Sequence, residues 1–192
     1  MTGLVDSARK VSVLEPKTPT ENTVEAIYAG HFDFVWRNLR RLGVDEEQLR
    51  DAAQDVFVVV HRRIGEWDGS ETLRPWLYSI VRRVAADTRR RRRRKEPLAR
   101  EDAQALVDVR ERGPESNASR KQELALLLAL LEQLDEEKRA VLILIDLEGV
   151  SAPQAARALN LNLNTVYSRL RAARLEMRKA YALATGREGN QP

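Results

Sequence analysis

The chain has 192 residues, and its 33 Lys and Arg against 29 Asp and Glu leave a net charge of only +4. It contains no cysteine, which excludes disulfides and metal sites built on thiolates. Without a signal-peptide pattern or an apolar stretch of roughly 20 residues, we expect a cytoplasmic protein, and the scarcity of Gly, aromatic residues and period-two alternation predicts an all-α fold.

The N-terminal half begins with a predicted tail and two predicted helices. Residues 1–22 are rich in Pro, Thr and Lys and show little periodicity, which predicts a disordered tail. From Thr23 apolar residues recur at helical spacing, and Gly43 marks the end of that helix. Asp45 is the expected N-cap of the second helix, with Gln48 as its capping-box partner.

The second helix, over 46–64, carries acidic residues outside its apolar stripe. Asp51, Gln54 and Asp55 all lie on this polar side. Such a patch is either a binding surface for a partner or an ordinary solvated helix face, and periodicity alone leaves both interpretations open. The predicted buried stripe is Leu49, Ala52, Ala53, Val56, Phe57, Val60 and Ile64.

A polar loop over 65–74 leads into a third helix, which begins near Pro75. Trp67 lies in this loop, where an indole either packs on the core or contacts a ligand. The outer side of the third helix ends in Arg89–Lys95, a run of seven basic residues. With tryptophans nearby, this run favours single-stranded or melted nucleic acid, although a merely solvated run would have the same composition. The predicted core side is Trp76, Leu77, Ile80, Val81, Val84 and Ala85.

Residues 96–120 have mixed charge and little apolar periodicity, which predicts a flexible linker. A linker of this length is unusual inside one compact domain, so we expect two helical domains. The second domain covers 121–183 and is followed by a polar tail over 184–192. In it, Asp135 is the expected N-cap of a helix that ends at Gly149.

A helix-turn-helix motif is predicted near the C-terminus. Ser151 and Gln154 form a capping box that begins a short helix. An Asn-rich turn over 160–164 follows, and Asn164 is the expected N-cap of the second, basic helix. The second helix of such a motif reads the major groove of DNA, although a helical hairpin with a solvated basic side shares the pattern. The predicted inward positions are Val166, Leu170, Ala173 and Met177.

Three blocks of sequence together resemble the extracytoplasmic-function group of the sigma-70 family of bacterial RNA polymerase sigma factors. They are D-x-x-Q-D-x-F from Asp51, W-L-Y-x-I-x-R from Trp76 with D-x-x-R-R behind it, and N-T-V-x-S-R-L-R-x-A-R from Asn164. The resemblance spans about 24–181. It implies a promoter-specificity subunit without catalytic activity or cofactor, which binds core RNA polymerase and promoter DNA and is commonly regulated by an anti-sigma factor.

The resemblance also implies roles for individual residues. The domain over 23–95 would correspond to region 2 of the family, and the domain over 121–183 to region 4. Core polymerase would bind Asp51, Gln54 and Asp55. The −10 promoter element would be captured and melted by Trp67, Arg83, Asp87, Arg89 and Arg90. The −35 element would be read by Asn164, Thr165, Tyr167, Ser168, Arg169, Arg171 and Ala172.

Three positions depart from the common family pattern. Arg83 stands where Asn is frequent near the flipped −10 base, Ala172 replaces a frequent Arg, and Asn162 replaces a frequent Pro in the turn. The alternative function is a free-standing helix-turn-helix repressor or activator, which would not need the acidic helix or the tryptophan loop. An enzyme acting on nucleic acid is disfavoured, because His31 and His61 are isolated and no metal-spaced cluster or phosphate loop is present.

Overall fold

A computed structural model describes residues 23–67, 73–95 and 116–186. These residues form helices, turns and short connections without a strand, which confirms the predicted all-α fold. The predicted tail over 1–22, residues 96–115 of the predicted linker and residues 187–192 lie outside the described ranges. The helices are α1 (Val24–Arg41), α2 (Glu46–Arg63), α3 (Leu73–Lys95), α4 (Ser116–Glu132), α5 (Glu136–Leu142), α6 (Ala152–Ala158) and α7 (Leu163–Thr185).

Helices α1, α2 and α3 pack together as the first domain. The predicted stripe of α2 is buried from Leu49 to Val60, while Ile64 is half-buried in a short 3-10 turn. The predicted capping box at the start of α2 is wrong. Asp45 is the N-cap residue, but its side chain makes no cap hydrogen bond, and its carboxylate instead pairs with Arg92 of α3. The positive charge of α3 therefore draws this carboxylate away from the end of its own helix.

The core side of α3 follows the predicted pattern, with one addition. Pro75 lies in the first turn, where a missing backbone N–H costs no helical hydrogen bond. Leu77, Ile80 and the later apolar residues of the predicted face are buried, whereas Trp76 is half-buried. Tyr78 is fully buried as well, although the sequence pattern did not place it in the core.

The second domain begins earlier than expected. Helix α4 begins at Ser116, within the range that composition assigned to the linker. Asp135 caps α5 as predicted, since its carboxylate accepts a hydrogen bond from the Lys138 backbone N–H at 2.8 Å. A π-helical turn over Ile143–Leu147 continues α5, and Gly149 follows with a φ of 69° that favours glycine.

The two domains are packed against each other, and their buried residues form one continuous apolar core. Helix α3 contacts α6, and α1 contacts α4. The sequence offered no means of placing one domain against the other, because each apolar stripe can be satisfied either within its own domain or across a boundary.

Candidate functional site

The helix-turn-helix motif has the predicted form at its first helix. Ser151 accepts a hydrogen bond from the Gln154 backbone N–H at 3.4 Å, and the Gln154 side chain accepts one from the Ser151 backbone N–H at 3.3 Å. This reciprocal pair is the predicted capping box of α6. Asn160 then adopts a φ of 52°, the left-handed conformation that asparagine tolerates better than most residues.

The predicted N-cap of α7 is wrong by two residues. The side-chain oxygen of Asn162 accepts a hydrogen bond from the Thr165 backbone N–H at 2.7 Å, so Asn162 is the N-cap and Asn164 lies in the first turn. The reversal at Asn160 allows the chain to become extended at Asn162 and to begin the helix at once. Asn164 is exposed and is left available for an external partner.

The polar face of α7 presents several side chains to solvent. Tyr167 is 53% exposed, and Asn164, Ser168 and Arg171 are also exposed. Thr165, Arg169 and Ala172 are half-buried, and the guanidinium of Arg169 pairs with Glu137. The opposite side of α7 is buried as predicted at Val166, Leu170 and Ala173, with Met177 half-buried.

Helix α2 presents its acidic residues on the surface. Asp51, Gln54 and Asp55 are all exposed, as the periodicity predicted. The carboxylate of Asp55 lies 3.6 Å from the guanidinium of Arg91 on α3, and both side chains are more than half exposed. A patch of negative charge is thus available beside the basic end of α3.

Next to Gln54 lies an open apolar groove of about 860 Å³ between α1 and α2. The ring centroids of Tyr28 and Phe57 are 4.7 Å apart, and the Phe32 ring stacks on Phe57 at 6.3 Å. Tyr28 is 50% exposed and Val58 is 42% exposed. The sequence pattern did not indicate this groove, although the spacing of four residues between Tyr28, Phe32 and Trp36 is a visible signal.

The residues expected at the −10 element differ in exposure. Trp67 packs against the core and is half-buried, and its indole N–H is buried without a hydrogen-bond partner among the described residues. Arg83 is exposed, and Asp87 pairs with Arg90 one turn further along α3. Arg83, Asp87 and Arg90 therefore keep polar groups at the surface of the first domain.

Arg89 does not lie on the outer side of α3 as predicted. Its side chain is only 17% exposed, and its guanidinium donates a hydrogen bond to the Leu42 carbonyl at 3.2 Å. The same guanidinium lies 3.5 Å from the carboxylate of Glu136 in the second domain. Arg89 is covered because the two domains pack together, and the periodicity of one helix cannot predict that packing.

A buried carboxylate joins the two domains. Glu148, whose side chain is 2% exposed, accepts hydrogen bonds from Arg37 at 2.9 and 2.7 Å, from Arg41 at 2.5 Å and from the Asn38 amide at 3.0 Å. We call these four residues the Glu148 cluster. Sequence reasoning missed them, because residues about 110 positions apart carry no local signal of contact.

The charge of Glu148 is set by its arginine and asparagine partners. Burial alone would raise the pKa of its carboxyl, but the hydrogen bonds from Arg37 and Asn38 and the charges of Arg37 and Arg41 outweigh burial and lower that pKa. Glu148 is therefore an anion at neutral pH. The Glu148 cluster is thus an ionic part of the contact between the domains.

His31 lies on α1 beside an aromatic ring and near two arginines. Burial, together with the charges of Arg74 and Arg37, lowers the pKa of His31, and its ring lies edge-on to Phe34 at 6.5 Å. Within residues 23–67, 73–95 and 116–186, no three His, Asp or Glu side chains are grouped so as to hold a metal ion. In the same ranges no helix combines the length and apolarity needed to span a membrane.

An exposed basic recognition helix on a helix-turn-helix domain, packed against a second helical domain, defines a DNA-binding protein of the helix-turn-helix class. A family model of sigma-70 region 2 matches residues 27–95, and one of sigma-70 region 4 matches residues 124–177. The chain belongs to the extracytoplasmic-function group of the sigma-70 family. It is therefore a factor of promoter-directed transcription initiation by RNA polymerase.

The curated relatives agree with this assignment. The chain is 34% identical over 142 residues to the RNA polymerase sigma factor NccH of Alcaligenes xylosoxydans xylosoxydans, which covers 72% of this chain and 75% of that relative. It is 30% identical over 148 residues to the ECF RNA polymerase sigma factor SigE of Mycolicibacterium smegmatis, which covers 77% of this chain and 57% of that relative.

Two solved structures share the fold. One is CnrH in complex with the cytosolic domain of CnrY, with a TM-score of 0.62, 25% identity and coverage of 83% of this chain and 88% of that chain. The other is the sigma factor RpoE in complex with the anti-sigma factor NepR from Bartonella quintana, with a TM-score of 0.63, 20% identity and coverage of 82% and 95%.

Proposed function

We propose that the exposed face of α7 reads the −35 element as a duplex. The observation that carries this proposal is the division of α7 into one buried side and one side that presents Tyr167, Ser168 and Arg171 to solvent. A helix of this kind fits the major groove, where an arginine can bond guanine through two hydrogen bonds. Asn164, Thr165, Arg169 and Ala172 complete the proposed contact surface, the first three of them closer to the DNA backbone.

Backbone contacts are favoured at the start of the same helix. The first N–H groups of an α-helix lack partners within the helix and carry partial positive charge, so they attract phosphate. At α7 these groups lie beside the exposed side chain of Asn164. The N-terminal end of α7 would therefore fix the register of the helix on the duplex.

The acidic side of α2 is the proposed docking surface for core RNA polymerase. Asp51, Gln54 and Asp55 are exposed and close together, and they offer acceptors for a basic partner surface. The neighbouring aromatic groove adds apolar area at the edge of this patch. A repressor that binds DNA alone would have no evident use for this combination.

The −10 element is the proposed ligand of the first domain. Trp67 offers an aromatic face for an unstacked base, a contact worth about 1–3 kcal/mol. Arg83, Asp87 and Arg90 share one side of α3, and Arg83 in place of the common Asn would alter the base preference there. Arg89 lies on a different side of α3, and it would have to leave both the Leu42 carbonyl and Glu136 of the second domain to contact the same element.

Regulation by an anti-sigma factor is proposed on the strength of the structural relatives. CnrH was solved with the cytosolic domain of CnrY at 25% identity to this chain, and the RpoE relative was solved with NepR. We further propose that the protein acts in the cytoplasm, has no catalytic activity of its own and consists of a domain over 23–95 and a second domain that includes α4 from Ser116, joined by the intervening linker.

The first experiment is a pull-down of purified bacterial core polymerase, followed by run-off transcription on promoters of the source genome. The variant Asp51→Lys/Asp55→Lys should lose core binding and transcription but still bind an isolated −35 duplex. Glu25→Lys is the matched control, because Glu25 is an exposed acid on a different helix, in the first turn of α1. Sequence-specific DNA binding without core binding would instead identify a free-standing repressor or activator.

A further inference from the structure

Helix α7 carries five basic side chains, and two of them pair with acids of the segment that packs behind it. Arg169 pairs with Glu137 of α5, and Arg174 donates two hydrogen bonds to Asp146 in the π-helical turn, at 2.8 and 2.6 Å. At about 3.6 residues per turn, Arg169 and Arg174 lie on opposite edges of the buried side of α7. Within the described residues no acid pairs with the other three basic side chains, which are exposed and are Arg171, Arg178 and Lys179.

Only Arg169 of these two paired arginines belongs to the proposed −35 surface. Its side chain is 24% exposed, and that of Glu137 is 58% exposed. The pair is not needed to hold α5 against α7, because both helices contribute to the apolar core and the Lys138–Glu176 ion pair, at 2.7 Å, also joins them. The Glu137–Arg169 pair therefore matters for the charge that α7 offers to DNA, and its removal should leave the packing intact.

We propose that Glu137 competes with DNA phosphate for Arg169 and thereby limits the sequence-independent affinity of α7 for DNA. The inference rests on the reading of the −35 element proposed above, and it makes Glu137 a positioning residue of that surface. In the free protein the carboxylate of Glu137 holds the guanidinium of Arg169. A phosphate oxygen has to replace this carboxylate, so the contact adds less affinity than the same contact made by an unpaired arginine.

This competition favours the reading of bases over the binding of phosphates. Phosphate contacts carry no direct sequence information, and they supply nearly all of the affinity for non-specific DNA. Because a genome offers a great excess of non-specific sites, a lower affinity for phosphate leaves more protein for its cognate sites. Arg171, the proposed base-reading arginine, is exposed and has no acid partner within the described ranges. Glu137 therefore weakens the sequence-independent part of binding and leaves the base contact unaffected.

Anisotropy titrations of the full-length protein test this role, with one random-sequence duplex and one −35 duplex from a promoter active in the run-off assay. Glu137→Gln should bind both duplexes about two- to fivefold more tightly, the factor that an exposed ion pair can supply. The slope of log K against log salt concentration should become steeper by up to about 0.9, because Arg169 then neutralises a further phosphate. Unchanged or weaker binding of Glu137→Gln would overturn the proposal.

Glu123→Gln is the matched control, since Glu123 is exposed on α4 and its replacement changes the net charge by the same amount. It should leave the salt slope unchanged. The basic end of α3 also attracts any DNA, so a double-mutant cycle is needed to isolate the contribution of Arg169. In the Arg169→Gln background, Glu137→Gln should give no gain beyond that of Glu123→Gln. An equal gain with and without Arg169 would show that the carboxylate acts through the overall charge of the domain, and it would overturn the competition.

The two duplexes also separate this proposal from the function on which it rests. A parent that binds the −35 duplex and the random duplex equally would count against the reading of the −35 element by α7, and the cycle on the random duplex would still decide whether Glu137 competes with phosphate. A parent that prefers the −35 duplex, without any gain in Glu137→Gln, would support that reading and overturn the role of Glu137. If both proposals hold, Glu137→Gln should keep the parent's ratio of the two affinities.

Discussion

The hydroxyl of Tyr78 in the first domain donates a hydrogen bond to the carbonyl of Ala140 in the second, with 3.1 Å between the two oxygens. Burial raises the pKa of Tyr78, so the phenol is protonated and able to donate at neutral pH. This neutral bond lies in the core that the two domains share, and it complements the ionised Glu148 cluster.

Tyr78→Phe should lower the free energy of unfolding by about 1–2 kcal/mol, because the ring is retained while the Ala140 carbonyl loses its buried donor. Urea denaturation followed by circular dichroism measures this change. Tyr181→Phe is the control, since Tyr181 is 45% exposed and its hydroxyl can bond to water. Equal stability of Tyr78→Phe and the parent would show that the interdomain bond contributes nothing.

Glu148→Gln should destabilise the protein by about 2 kcal/mol or more at neutral pH, because it removes a buried charge that two arginines face. The pKa of Glu148 in the folded protein is lower than its ordinary value of 4.5. The ionised carboxylate therefore stabilises the folded protein above pH 4.5, and this contribution is lost as the pH falls through the pKa of the folded state. The difference between parent and variant should therefore be constant from pH 7 to about 5 and shrink below 4.5. Urea midpoints across this range measure it, and a difference that grew on acidification would contradict a lowered pKa of Glu148.

Asn162 and Asn164 should separate stability from DNA binding. Asn162→Ala removes the N-cap of α7 and should cost about 1 kcal/mol of stability. Asn164→Ala should leave the unfolding free energy nearly unchanged and weaken binding to a −35 duplex, because Asn164 is exposed and does not cap the helix. Thermal unfolding and fluorescence anisotropy measure the two effects. A loss of stability in Asn164→Ala, with unchanged stability in Asn162→Ala, would instead identify Asn164 as the N-cap of α7.

Arg171→Ala should reduce binding to the cognate −35 duplex by about 1–3 kcal/mol and relax the preference at one base pair. Arg178→Ala provides the matched control, because Arg178 is an exposed arginine two turns further along the same helix. The control should weaken binding by a similar factor on every sequence, if it acts at all. Anisotropy titrations against duplexes that differ at single base pairs distinguish the two outcomes.

Local sequence patterns were sufficient to predict the helices and most of the residues on their buried sides. Apolar spacing identified the core stripe of α2 and the inward side of α7, and cap residues located the starts of α5 and α6. Each of these features depends on neighbours within about four residues, which a sequence displays directly. The N-cap of α7 could not be predicted in this way. Asn162 and Asn164 have the same side chain, and only the conformation of the turn decides which of them caps the helix.

Contacts between distant segments could not be predicted in the same way. Glu148 and its arginine partners, the cover over Arg89 and the burial of Tyr78 all depend on how one domain packs on the other. The same holds for Asp45, whose carboxylate was expected at a helix end and instead pairs with Arg92 across the domain. A charged residue in a sequence has many possible partners, and only the fold selects among them.

The ion pair between Asp55 and Arg91 links two surfaces that were described separately, the proposed polymerase-docking patch and the basic end of α3. A basic polymerase surface that took hold of Asp55 would release Arg91 for a phosphate, and by thermodynamic reciprocity a bound phosphate would make Asp55 a better acceptor for polymerase. Because the pair is largely exposed, it is worth no more than about 1 kcal/mol, so this cooperativity is limited to about fivefold. Polymerase binding at Asp55 and phosphate binding at Arg91 would each strengthen the other modestly. Higher ionic strength would weaken both.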